Sequence, residues 1–204
     1  FLINAGLFAI AVMSKRELLH ALGAVATLVV TAAWMASSYS TGAWIAIVAI
    51  VAGFMAFYLV APAVAARVGH PFEDIATHTV YTAPLLMFIF PVIVRADATA
   101  AAVPLFAIVF GLLLTFAWRA LRTRDSAIYY IGVFFSLTAE AVWSATHLTI
   151  ERLNAAMLLY GIFGLLYLGV PLTARRLHRR LVRRERHRPL RARARARHHR
   201  RHPR

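Results

Sequence analysis

One acidic residue, Glu140, stands thirteen positions into a long apolar run from Ala127 to His147. An ionisable group at that depth in hydrocarbon is costly unless it is paired or neutral, so it serves either as a proton or cation site or as a neutral hydrogen-bonded helix contact. Ser136, Glu140, Trp143 or Ser144, and His147 recur at helical spacing, so they form one polar stripe that must face protein or water. An antiparallel neighbour turning back near Thr149 brings residues whose numbers sum to about 300 to the same depth. Tyr160 is therefore expected level with Glu140, and Asn154 near Ser144 and His147. Ser136, Glu140, Ser144, His147 and Tyr160 together make the candidate intramembrane polar site.

A second patch gathers His78, Tyr81 and Thr82 near the start of another apolar segment. His78 lies only about 6 Å from that segment's end at 1.5 Å per residue, whereas Glu140 lies about 20 Å from the same side. The two are expected to be separate sites rather than a pair. With no cysteine in the chain, disulfides, thiolate metal sites and cysteine nucleophiles are excluded. No phosphate-binding glycine loop, His-Glu-x-x-His or Gly-x-Ser-x-Gly elbow is present, so neither enzyme chemistry, a metal nor a cofactor is indicated.

The elements that must hold these residues are transmembrane helices. Apolar residues make up 61% of the chain and charged ones 15%, an excess that has to face lipid. Seven segments emerge: 1–13, cut short, then 18–36, 43–66, 75–94, 98–118, 127–147 and 153–174, each of the complete ones near the length needed to cross a bilayer. The stretches 45–60 and 80–94 lack the polar face that a soluble helix would show. The expected fold is thus all-α: a polytopic bundle of about seven segments with a disordered basic tail. Pro84 and Pro91 are expected to kink the fourth segment, since each removes a backbone donor and crowds the carbonyl four residues earlier. Small residues four apart, Gly23, Thr27 and Thr31 in the second segment and Ala107, Gly111 and Thr115 in the fifth, mark candidate helix contacts.

The formal charge of +15 resides almost wholly in the end of the chain: from Arg175 to Arg204 there are fifteen arginines and one glutamate, or +14. Residues 1–174 form the membrane domain, and the Arg-rich stretch 175–204 has too little apolar content to pack a core. It is expected at an anionic leaflet, without the aromatic interleaving of a specific nucleic-acid binder. Because Arg, Ala, His and Pro share GC-rich codons, an out-of-frame reading past Arg176 would give the same composition. Before the tail, one side of the membrane carries Lys15, Arg16, Arg67, Arg119, Arg122 and Arg124, the other only Arg95 and Arg152. The C-terminus is therefore expected on the cytoplasmic side. Phe1 opens inside an apolar run, so the chain is expected to be a fragment of a larger protein whose remaining helices, with the lipid bilayer, are its partners.

The run AEAVWSATHLTIERLNAAMLLYGIFGLLYLGVPLTARR, Ala139 to Arg176, resembles the large bacterial multi-pass membrane proteins grouped as domain of unknown function 2339. The NAGLFAIAV stretch and the 57–62 and 81–91 stretches are similar as well. The resemblance implies a polytopic inner-membrane protein with more helices than seven, and carries over no catalytic residue. Two functional readings follow from the residues: a transport or conduction module with Glu140 in its path, or a noncatalytic scaffold or sensor in which the polar residues only join helices. An enzyme acting on lipid or envelope precursors comes third.

Overall fold

The computed structural model describes the backbone of residues 1–96 and 102–199, with the side chains of these apart from Asp74 and residues 177–199. Among the described residues every regular element is helical. In chain order they are α1 (Leu2–Ser14), α2 (Leu18–Ser38), α3 (Trp44–Arg67), α4 (Ile75–Ala96), α5 (Ala102–Thr123), α6 (Ala127–His147) and α7 (Leu153–His199). Six stretches, α2 to α6 and Ile150–Arg176, are long and apolar enough to cross a membrane, and α1 is a shorter apolar helix. The chain is a multi-pass integral membrane protein.

Most boundaries fall within two residues of those read from hydropathy. The exceptions are α7, expected to end at Ala174 before a disordered tail but helical in its backbone to His199, and α5, expected to end at Trp118 but continuing to Thr123. Arginine is a good helix former, so Arg119 and Arg122 prolong the helix past its apolar part. The helix stops where Arg124 turns left-handed at φ 60°. The expected start at Ala98 lies outside the described residues. Gly42 and Gly69, at φ 88° and 85°, make the corresponding turns before and after α3.

The two prolines of α4 act as their covalent structure dictates. Counting one residue before that span, the backbone is α-helical at Asp74–Thr77, Thr82–Leu85 and Ile89–Ala96, and tightens to 3-10 geometry at His78–Tyr81 and Leu86–Phe88. Pro84 cannot donate to the carbonyl of Val80, nor Pro91 to that of Met87, and both of these residues sit in the 3-10 turns. The kinks expected from sequence are thus two local overwindings, each one turn ahead of a proline.

Two compact units are distinguished, Phe1–Ala156 and Met157–Arg204. Within the first, α4 is the most enclosed helix, with 61% of its apolar window buried against 33% for α2, α3 and α5. Its last segment packs along α6, which also packs on α5. The α5–α6 contact is close: a Cβ on Gly132 would come within 2.7 Å of Phe116 Cδ2 and 3.1 Å of Leu113 Cδ2. Of the two small-residue stripes, that of α2 is a real contact, since a Cβ on Gly23 would meet Asn4 Oδ1 at 3.1 Å. That of α5 is not, because Ala107, Gly111 and Thr115 are all exposed. In the second unit α7 continues through the basic stretch as helical backbone to His199.

Candidate intramembrane polar sites

The Glu140 stripe lies on the buried face of α6. Ser136 is fully enclosed, Glu140 is 8% exposed and Trp143 4%. They share that face with Gly132 and Ala139, because positions three and four apart in a helix stack on one side. The Ser144 hydroxyl donates to the Glu140 carbonyl at 2.7 Å, a bond within the helix. Trp143 packs edge-on against Phe106 of α5, ring centroids 6.2 Å apart. His147 closes the stripe, its Nε2 lying 3.0 Å from the carbonyl oxygen of Val94 in α4. A carbonyl only accepts, so Nε2 bears the proton in this contact.

That contact fixes the register of α6 on α4. At the opposite end Tyr81 donates to Asp125, just before α6 begins, at 2.7 Å, so the two helices run in the same direction. Glu140 stands two turns below His147, about 10 Å deeper, which sets it alongside the stretch from Leu86 to Phe90. The buried carboxylic residue and the second overwound turn of α4 therefore occupy the same depth. Tyr160, expected opposite Glu140, is half-buried on α7 in the second unit.

The second predicted patch is split by burial. His78 is exposed, Tyr81 half-buried and Thr82 buried, although the His78 and Tyr81 rings do stack, 6.0 Å apart at 28°. Asp125 organises this end. One carboxylate oxygen accepts the Tyr81 hydroxyl and the other accepts the Ala127 amide at 3.1 Å, the first turn of α6. Such a carboxylate at a helix start satisfies an amide that has no partner in the helix.

Three polar features escaped the sequence reading. Thr27 of α2 accepts from Asn4 Nδ2 of α1 at 2.6 Å, lies 2.9 Å from the Tyr58 hydroxyl of α3, and donates to the Gly23 carbonyl at 2.7 Å. The depth rule that set Tyr160 level with Glu140 would have found these partners had it been applied to the first two hairpins. Nearer the basic end, His20 is 2% exposed and is enclosed by the rings of Phe8, Phe57, Tyr58 and Phe72, at centroid distances of 5.0 to 5.9 Å. Its Nε2 has no hydrogen-bond partner among the described residues. Arg119 reaches from α5 to the Leu59 carbonyl at 2.8 Å, in the turn of α3 that precedes Pro62. No sequence pattern announced that bond, because its acceptor is backbone.

Below His20, a cavity of about 310 Å³ opens between the α1–α2 and α3–α4 connectors. Lys15, Glu17, His70, Phe72 and Glu73 line it, and both Glu17 carboxylate oxygens accept the Glu73 amide, at 3.1 and 3.0 Å. Among the described residues no group of three His, Asp or Glu side chains could hold a metal ion. Comparison with protein-family models, with curated proteins and with solved structures finds no match to this chain.

Proposed function

We propose that this multi-pass membrane protein is a transport or conduction module whose path runs along the α4–α6 contact, with Glu140 as the group that binds a proton or small cation. The observation that carries the reading is the coincidence of depth between Glu140 and the overwound turn of α4 ahead of Pro91. Ionisable residues in the membrane interior and helices broken near the midplane are the usual components of ion and proton pathways. Ser136 and Thr82, both buried, supply further hydroxyls on these two helices. Kinship with the domain of unknown function 2339 proteins, a bacterial inner-membrane location and a cytoplasmic C-terminus belong to the same reading.

The test uses the full chain in liposomes containing a pH-sensitive dye, with an imposed pH gradient and the potential clamped by potassium and valinomycin. Wild type is expected to collapse the gradient faster than empty liposomes, and Glu140→Gln to return the rate to the empty-liposome value. If Glu140→Gln conducts as wild type does, or if wild type does not conduct protons, sodium or potassium, the pathway reading is overturned in favour of a scaffold in which the stripe only joins helices.

A further inference from the structure

The basic end of α5 combines three features that point to a lipid. Arg122 sits over the ring of Trp118, its guanidinium carbon 5.0 Å from the centroid, and Trp118 is itself 60% exposed. Tryptophan at that height marks the level of the headgroups, because its ring is apolar and its N–H needs a polar partner. Stacking a guanidinium on the ring fixes its plane while leaving its N–H donors pointing outward, the arrangement that suits a phosphate.

The surrounding charge has the same sign. Arg119, Arg122 and Arg124 lie within six positions, and the nearby carboxylate, Asp125, is already engaged by Tyr81 and the Ala127 amide. Arg119 is tied to the Leu59 carbonyl, so it is held in place at the α3–α5 junction, and Arg122 and Arg124 are exposed. Toward the membrane interior the same face of α5 continues as the exposed stripe Thr115, Gly111 and Ala107. A Cβ at Gly111 would meet nothing within 4 Å, so this face offers a shallow channel beside the flanking Val103, Leu114 and Trp118.

We infer that this face binds one anionic phospholipid, its phosphate held by Arg122 on the Trp118 ring with Arg124 beside it, and an acyl chain lying over Thr115, Gly111 and Ala107. Charge complementarity selects the occupant: a neutral apolar helix would fill the stripe but leave the stacked guanidinium without a counterion, whereas phosphatidylglycerol satisfies both ends. The site shares no residue with the Glu140 pathway.

The experiment is native mass spectrometry of the full chain released from nanodiscs containing equal phosphatidylglycerol and phosphatidylcholine. Wild type is expected to retain phosphatidylglycerol preferentially, and Arg122→Gln and Trp118→Leu each to lose about fivefold of that retention, in line with one lost basic contact at an anionic surface. Arg16→Gln and Arg152→Gln, exposed but elsewhere, should retain it, with monodispersity and helical circular dichroism confirming the fold of each variant. Equal retention of the two lipids by wild type, or equal loss in Arg16→Gln, would overturn the site. A Gly111→Cys variant of this cysteine-free chain reports the rival occupant: disulfide-linked dimers forming rapidly in native membranes would mean that a second copy, not lipid, covers the stripe. Inorganic phosphate at millimolar concentration should not displace the lipid, since it lacks the acyl contacts, and displacement would also count against the proposal.

Discussion

The hydroxyl of Thr27 and the hydroxyl of Tyr58 meet 2.9 Å apart between α2 and α3, with both side chains buried. A threonine hydroxyl has one hydrogen to give and two lone pairs to share. Thr27 gives its hydrogen to the Gly23 carbonyl and accepts from Asn4, so in this contact Tyr58 is the donor and the Thr27 oxygen is saturated. One residue thereby joins three helices.

Thr27→Val keeps the shape but strands both partners. It should cost about 1 to 2 kcal/mol, given that a membrane interhelical hydrogen bond averages roughly 0.6 kcal/mol and a buried unpaired polar group adds to that. Thr27→Ser should retain most of the stability. Thermal unfolding of the full chain in detergent checks both, and a valine variant as stable as wild type would remove the network from the account.

Gly132 has no room for a side chain. Gly132→Ala would push a carbon to 2.7 Å from a ring atom of Phe116, which is itself fully buried and has nowhere to move. A loss of about 1 to 3 kcal/mol is expected from overpacking, against none for Gly111→Ala, where the space is open. The same melting measurement compares the pair directly.

The overwound turns of α4 can be read as a length. Seven residues in 3-10 geometry, at about 2.0 Å rise in place of 1.5 Å, make the helix roughly 3.5 Å longer than a regular one. Replacing Pro84 and Pro91 together with alanine should restore regular bonding and shorten the distance between spin labels at Ile75 and Arg95 by about that amount. Both positions are exposed, and the chain holds no other cysteine to label. An unchanged distance would mean that packing, not the prolines, sets the winding.

Tyr81→Phe should weaken the junction between α4 and α6 by roughly 1 kcal/mol, discounted for the partial exposure of both partners. Asp125→Ala should cost more, because it also frees the Ala127 amide at the start of α6. In a double-mutant cycle the two changes should be non-additive, whereas independent effects would show that the 2.7 Å contact contributes nothing.

Hydropathy made the helices legible because hydrocarbon imposes its length on any chain that crosses it, and Pro84 and Pro91 announced the disturbed helix by chemistry alone. The inward face of α6 was legible too, from the spacing of Ser136, Glu140 and His147. What spacing along one helix could not reveal was bonding between helices to backbone oxygens. His147 to Val94 and Arg119 to Leu59 both end on carbonyls, and every residue has one, so no residue type marks the acceptor. The stripe of α5 shows the opposite failure: Ala107, Gly111 and Thr115 have the same pattern as Gly23, Thr27 and Thr31, yet only the latter found a neighbouring helix. Small size permits close approach and does not cause it.

The enclosure of α4 bears on how the protein is made. A segment that ends up shielded on most sides has little surface to offer lipid, and its buried hydroxyls would be unwelcome there until α6 has emerged from the ribosome to cover them. During synthesis α4 should therefore linger beside the insertion machinery while some fifty further residues are translated, roughly the length of α5 and α6 together. The order in which the helices leave the translocon would then differ from their order along the chain.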